Sequence, residues 1–309
     1  MEINYFTYQQ INKTKWDACI EQADNGLIYG YSFYLDTMAK NWDALVLNDY
    51  EAVMPLTWNK KYGIHYLYQP PFTACLGIFA RRALWGKMIT AETATEFLQT
   101  IPAKFKYWDI YFNPGNLFNL TEFNLYERMN YVLDLNAEYD SLYKAYRDNV
   151  KRNIKKSEQF HLSIHKDIAL AEVIKLAKEQ SINFSSIAVD NFNRFEKLFQ
   201  LLYSKQKATT YGVYTKEKQL IASAVFFYSH NRAYYIMVGN HPNGKTLGAS
   251  HALINAFIKD HAGQKILLDF EGSDIPSLAF FYSSFGAVEE KYSSIKLNNL
   301  PTALKWLKK

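Results

Sequence analysis

Residues Arg232-Ala233-Tyr234-Tyr235-Ile236-Met237-Val238-Gly239-Asn240-His241-Pro242-Asn243-Gly244-Lys245-Thr246-Leu247-Gly248-Ala249 run from an apolar stretch, through a turn cluster, into a helical pattern. From Gly239 to Thr246 they spell G-x-x-x-x-G-K-T, the phosphate-loop pattern. The setting also fits, because free N–H groups and the positive end of a helix N-terminus attract anions. Downstream, Ile266-Leu267-Leu268-Asp269 imitates the apolar strand that ends in a metal-holding aspartate. The residues upstream argue against a nucleotide hydrolase. Stretches 211–214, 220–228 and 232–238 are rich in Val, Ile, Tyr and Phe and are separated only by Lys216-Glu217-Lys218 and Ser229-His230-Asn231. Connections this short make an antiparallel meander, whereas a nucleotide-hydrolysing sheet is parallel and needs long crossovers. Too little chain follows Gly244 to complete such a sheet. What survives is the anion-binding chemistry of a turn feeding a helix.

The bulk properties set bounds. The chain has 309 residues, 49% hydrophobic and 21% charged, with a formal net charge of +5. That is a well-buried globular protein of two ordinary domains, and the mild charge does not call for DNA. No apolar run is long enough to span a membrane, and the N-terminus lacks a basic segment followed by an apolar one, so the expected location is the cytoplasm. Two cysteines, Cys19 and Cys75, suit a reducing compartment. The histidines show no metal spacing, there is no G-x-S-x-G, and neither cysteine has a nucleophile context, so neither a metal nor covalent hydrolase chemistry is expected.

The order of elements in the second half is strand (161–165), helix (168–180), helix (191–206), the meander, helix (247–259), strand (265–270), short helix (276–284) and strand (290–297). This layout resembles the GNAT (GCN5-related N-acetyltransferase) superfamily. In that family a loop after the fourth strand cradles the pyrophosphate of coenzyme A with backbone amides. The corresponding residues here are Asn243-Gly244-Lys245-Thr246-Leu247-Gly248-Ala249, which keep the family's Arg/Gln-x-x-Gly-x-Gly/Ala pattern in part. Ala279-Phe280-Phe281-Tyr282-Ser283-Ser284-Phe285-Gly286 resembles the segment whose tyrosine protonates the departing thiolate, a role that falls to Tyr282. Leu278, Phe281 and Phe285 share a helical face and read as core anchors.

The first half repeats the order in weaker form, and two degenerate copies resemble the Fem-type peptidoglycan-bridge aminoacyltransferases. Tyr146-Arg147-Asp148-Asn149-Val150-Lys151-Arg152-Asn153-Ile154-Lys155-Lys156-Ser157 is similar to the helix leading into the second Fem domain, and Asp269-Phe270-Glu271-Gly272-Ser273 to its Asp-Phe-x-Gly segment. Members that use aminoacyl-tRNA carry Phe-Lys-x-x-Phe, and the lysine position here is Tyr282, which points back to a CoA-type donor. The resemblance implies an α/β (α+β) protein of two tandem GNAT-like domains, each a mixed, mostly antiparallel sheet flanked by helices. The expected boundaries are 1–135 for a degenerate first domain and 136–309 for the second, with a basic linker helix over 139–158 and a short C-terminal tail helix.

Candidate residues follow from both readings. Tyr282, Glu271 and Asp269 are the catalytic candidates. Asp269 and Glu271 alternate, so on a strand they share one face, where a carboxylate near an amine accepts its proton. Val238, Gly239, Gly244, Lys245, Thr246, Leu247, Gly248 and Ala249 are the donor-binding candidates. Lys144, Arg147, Lys151 and Lys155 recur at three and four residues and give a helix one cationic face, with Arg152 beside it. Lys151 and Arg152 are assigned to substrate binding, as are Tyr68 and Gln69, which precede the rigid Pro70-Pro71. The expected function is transfer of an acyl group from acyl-CoA to an amine on a small-molecule or cell-wall-precursor acceptor bound between the domains. The alternatives are a tRNA-dependent aminoacyltransferase of the Fem type and a catalytically silent ligand-binding protein.

Overall fold

The computed structural model describes residues 2–81, 89–181, 188–272 and 274–301. Along the chain come β1 (Ile3–Phe6), α1 (Lys13–Glu21), α2 (Ser32–Met38), β2 (Asn41–Leu47), β3 (Ala52–Lys61), β4 (Ile64–Tyr68), β5 (Phe79–Ala80), α3 (Ala91–Gln99) and β6 (Phe105–Tyr111). Next are β7 (Leu125–Asp134), α4 (Tyr139–Ala145), α5 (Asp148–Gln159), β8 (Ser163–Lys166), α6 (Leu170–Ser181) and α7 (Val189–Tyr203). The meander β9 (Ala208–Tyr214), β10 (Leu220–Ser229) and β11 (Arg232–Asn240) leads to α8 (Pro242–Leu247) and α9 (Ala249–His261). The described chain closes with β12 (Leu267–Asp269), α10 (Pro276–Ser283) and β13 (Val288–Asn298). The expected tail helix lies outside the described residues.

Two compact units result: Met1–Arg128 together with Lys291–Lys309, and Met129–Glu290. The division differs from a cut at residue 135, because the final strand leaves the second unit. Ser294 to Asn298 of β13 pair antiparallel with Tyr111 to Tyr107 of β6. In the first unit β1, β2, β3 and β4 are antiparallel neighbours, and β4 runs parallel to β6. Leu45 and Leu47 of β2 face the cluster that includes Phe97 and Leu98 of α3. Trp42, on the alternate face, packs at 5.1 Å from Trp16 of α1. The sheet is thus covered on both sides, which is why Ala44 to Leu47 of β2 read as a continuous apolar run.

In the second unit the pairing order is β7, β12, β11, β10, β9, β8, with only β11 and β12 parallel. One face buries Ala222, Ala224 and Phe226 under α9, where Phe226 stacks on Phe257 at 3.8 Å. The alternate face, with Gly239 and Ser223 in register, lies under α6. A Cβ on Gly239 would sit 2.8 Å from the Ala177 nitrogen, so the strand and helix approach as closely as glycine permits.

The expected basic helix is divided, and the expected helix over 247–259 is preceded by a short helix of its own, α8. The basic segment breaks at Tyr146 and Arg147, both in extended backbone with ψ of 139° and 157°. The Tyr146 ring meets Phe285 edge-on at 5.4 Å and the Arg147 N–H donates to the Ser284 carbonyl, so tertiary anchoring overrides helix propensity. Lys144 is therefore on α4 while Lys151 and Lys155 are on α5, and the single cationic face is interrupted. The second break, at Gly248 with φ of +76°, separates α8 from α9.

Candidate functional site

The site follows from where a parallel pair stops. β11 and β12 are in register only from Arg232–Leu267 to Tyr234–Asp269, while β11 continues to Asn240. Beyond Tyr234 the two diverge and open a wedge. The divergence has a local cause: Glu271 and Gly272 are both left-handed, with φ of +63° and +84°, and turn the chain out of the sheet. A glutamate in that region is strained, a condition that clusters at functional sites.

A buried charge network pins the closed end. Arg232 pairs with Asp269 at 2.6 Å and bonds Glu290 through both terminal nitrogens, at 2.7 and 2.9 Å. The Asn130 amide donates to Asp269 at 2.9 Å and to Glu290 at 3.0 Å, and the Glu271 backbone N–H donates to Asp269 at 2.8 Å. Asp269 is thus committed to holding β11, β12 and β7 together, and it is not placed as a free base. The expected shared face of Asp269 and Glu271 also fails, because the strand ends at Asp269. Glu271 lies beyond it, near enough to Tyr282 for its carboxylate to act on the phenol.

Three aromatic rings line the vertex. Tyr282 stacks on Phe270 at 4.6 Å and 20°, and Tyr235 meets Phe270 edge-on at 6.1 Å. All three are buried, and among the described residues no hydrogen bond reaches the Tyr282 or Tyr235 hydroxyl. Burial pushes both phenols well above the usual tyrosine range. The Glu271 carboxylate raises Tyr282 further, and Tyr282 raises Tyr235. A buried, protonated phenol without a protein acceptor is suited to donate a proton to a ligand. Of the expected core anchors on α10 and just after it, Phe285 is fully buried and Phe281 partly, but Leu278 is 39% exposed.

The expected cradle is more helical than the sequence suggests. Pro242 to Leu247 form α8, and its first turn is already capped: the Asn243 N–H donates to His241 Nδ1 and the Gly244 N–H to the His241 carbonyl. Gly244 is buried, and a Cβ there would meet the Ile221 carbonyl oxygen at 2.3 Å. Gly248 packs against α5, where a Cβ would lie 2.4 Å from the Asn153 carbonyl oxygen, and Ala249 is fully buried. These small residues serve close packing of backbone on backbone. Lys245 and Thr246 are exposed and Val238 and Leu247 are half-buried, packed against the core cluster.

The other assigned residues are held elsewhere. Lys151 donates to the Lys144 carbonyl at 3.1 Å, and Arg152 is exposed. In the first unit the Tyr68 hydroxyl accepts from the Lys40 N–H, while the Gln69 amide donates to the Thr73 carbonyl and accepts from the Tyr111 N–H. Gln69 is therefore spent on backbone of its own unit. Among the described residues no cluster fits a metal ion.

Sequence reasoning missed Tyr235 and His251. Tyr235 follows from alternation along β11, since it shares the core-facing side with Ala233. His251, in the first turn of α9, lies edge-on to Phe281 at 4.8 Å, and burial pushes its imidazole down to about 4. Its position after Gly248 is visible in the sequence, but its desolvation is not.

No protein-family model matches the chain and no curated protein matches it. Solved structures do. FemX superposes with a TM-score of 0.63 at 12% identity, covering 100% of each chain. L-PGS from Bacillus licheniformis gives a TM-score of 0.53 at 10% identity, over 95% of this chain and 94% of that one. A conserved protein of unknown function from Bacteroides thetaiotaomicron gives 0.51 at 12% identity, over 96% of this chain and 100% of that one. The fold is like that of FemX, mixed α/β with mostly antiparallel sheets flanked by helices. Among the described residues no helix is long and apolar enough to cross a membrane.

Proposed function

We propose that the chain is an acyltransferase that moves an acyl group to an amine, with the donor's acyl end in the wedge between β11 and β12. The observation that carries this reading is Tyr282, a protonated phenol without a protein acceptor at the vertex of a splayed parallel pair. Among the described residues no strand pairs with the β12-facing edge of β11 beyond Tyr234, and that edge suits an extended donor arm, as a sheet edge suits an added strand. The amine nitrogen bonds to the acyl carbon, the bond to the leaving group breaks, and the leaving group takes the Tyr282 proton. The amine proton passes to Glu271, directly or through water.

Acyl-CoA is the donor that gives Tyr282 a thiolate to protonate. A second reading, aminoacyl transfer from tRNA to a cell-wall precursor, gains from the capped first turn of α8, which leaves less of the expected phosphate cradle. The exposed Arg152, Lys155 and Lys156 of α5 suit a tRNA backbone.

Thermal shift with CoA, acyl-CoAs, ATP with magnesium and charged tRNA separates the donors. A ligand at about 100 times its Kd stabilises the fold by about 2.7 kcal/mol, an easily read shift. Single-turnover rates then test the mechanism. Tyr282→Phe keeps the ring stacked on Phe270 and should lower thioester turnover by roughly 10²–10⁴-fold with donor affinity intact. Equal rates would remove Tyr282 from the chemistry, and binding without any transfer would favour a silent ligand-binding protein.

A further inference from the structure

A cavity of about 620 Å³ opens in the second unit at the end of the sheet away from the wedge. The register fixes this placement. Ser229 of β10 pairs with Arg232, so Tyr228 lies at the closed end of β11, whereas the wedge opens toward Asn240. Lys166 and Asp167 border the cavity where β8 ends, with Thr209 at the start of β9, Tyr203 at the end of α7, Tyr228, and His261 at the end of α9.

Asp167 is held in a defined orientation. Its φ is +55°, its N–H donates to the Thr210 carbonyl at 2.7 Å, and its Oδ1 accepts from the Thr209 hydroxyl at 2.8 Å. Among the described residues Oδ2 has no partner, and the adjacent Lys166 forms no ion pair with it or with another carboxylate. Two opposite charges next to each other in sequence are thus both left for a ligand. His261 adds a third polar group. It is 9% exposed, and its Nδ1 is 2.8 Å from the Phe257 carbonyl, so that nitrogen carries the hydrogen and Nε2 presents a lone pair. Burial keeps the imidazole below its usual range, with nearby Lys166 adding to the effect and Asp260 opposing it. Nε2 is 3.4 Å from the Tyr228 hydroxyl, too long for a strong bond, so both atoms keep capacity for a ligand.

We propose that this cavity binds a small zwitterion of the α-amino-acid type. The ammonium group sits against Asp167 Oδ2, His261 Nε2 and the Tyr228 hydroxyl, which together supply acceptors for its hydrogens. The carboxylate pairs with Lys166, and an apolar side chain covers Tyr203, which is 45% exposed. The site stands apart from the wedge and does not depend on what is transferred there.

Calorimetry on the full chain with L-phenylalanine tests the proposal, with 2-phenylethylamine and 3-phenylpropionate as probes that each carry one of the two charges. Saturable binding of the amino acid is expected, with both probes at least tenfold weaker, about 1.4 kcal/mol. Lys166→Gln, at an exposed residue, should leave thermal stability unchanged and weaken binding at least tenfold, and Asp167→Asn should do the same. Tyr282→Phe should leave this binding unaltered, so a failed transfer mechanism does not touch the result. The proposal is overturned by absence of saturable binding for phenylalanine, leucine, lysine, glutamate and alanine alike. Equal binding of the single-charge probes, or affinity indifferent to Lys166→Gln, overturns it too.

Discussion

At the scale of single residues, the two acidic candidates separate by what they touch. The Asp269 carboxylate is buried and bonded to Arg232, Asn130 and the Glu271 N–H, whereas Glu271 is half-buried beside Tyr282. Asp269→Asn takes one of its two anionic partners from Arg232, leaving Glu290 as the other, and should cost about 3 kcal/mol in denaturant unfolding. Glu271→Gln should leave the midpoint within about 1 kcal/mol of wild type and act on the transfer rate instead. If the two variants were equally stable, the network around Arg232 would not be what holds the closed end of the wedge. His251 gives a pH signature. The folded imidazole stays neutral down to about 4, while the unfolded chain takes up its proton near about 6.5. Between these values the unfolded state binds more protons, so this contribution falls as pH drops through the window. His261 is lowered in the same direction and remains in the variant. Thermal melts should therefore show a smaller loss of Tm from about pH 7 to about pH 4.5 in His251→Gln than in wild type. Parallel pH profiles would place His251 in ordinary solvation.

Among the elements, the joint between α8 and α9 is where helix pattern and packing meet. Gly248 combines a left-handed φ with a Cβ position 2.4 Å from the Asn153 carbonyl oxygen. Gly263 has a similar φ of +79° but only the Glu138 Oε1 at 3.4 Å, the end of a flexible side chain. Both alanine variants carry the backbone penalty of about 1 kcal/mol. Gly248→Ala must in addition push α5 from α9, so its loss of stability should clearly exceed that of Gly263→Ala. Equal losses in denaturant melts would mean that α5 yields freely. The elements themselves were largely legible: the meander, α9 and α10 follow from period and short turns. The breaks at Tyr146 and Gly248 were not, because each is made by a partner distant in sequence, Phe285 in one case and Asn153 in the other.

For the molecule as a whole, the final strand belongs with the beginning of the chain. Lys291–Lys309 fall in the first compact unit, and β13 supplies the antiparallel neighbour of β6. A fragment 129–290 should melt cooperatively alone, whereas 1–128 should need 291–309, joined or added, to show a cooperative transition by circular dichroism. Equal cooperativity of 1–128 with and without that segment would contradict the division. Repetition of element order in the two halves was readable, but the exchange of a terminal strand was not, since pairing between strands as distant in sequence as Tyr107 and Asn298 leaves no local pattern.

The sequence by itself determined most of the strand-and-helix order, the antiparallel character of the meander that a nucleotide-hydrolase sheet does not have, and Tyr282 as a residue to examine. These depend on local period, turn length and side-chain chemistry, which short stretches carry. Tertiary structure alone decided that Asp269 is a pinned structural anion, that Gly248 is a packing glycine, that Tyr235 shares the vertex with Tyr282, and that Asp167 and Lys166 meet His261 at a cavity. Those properties arise from burial and from partners brought together by the fold, and desolvation has no signature in the order of residues.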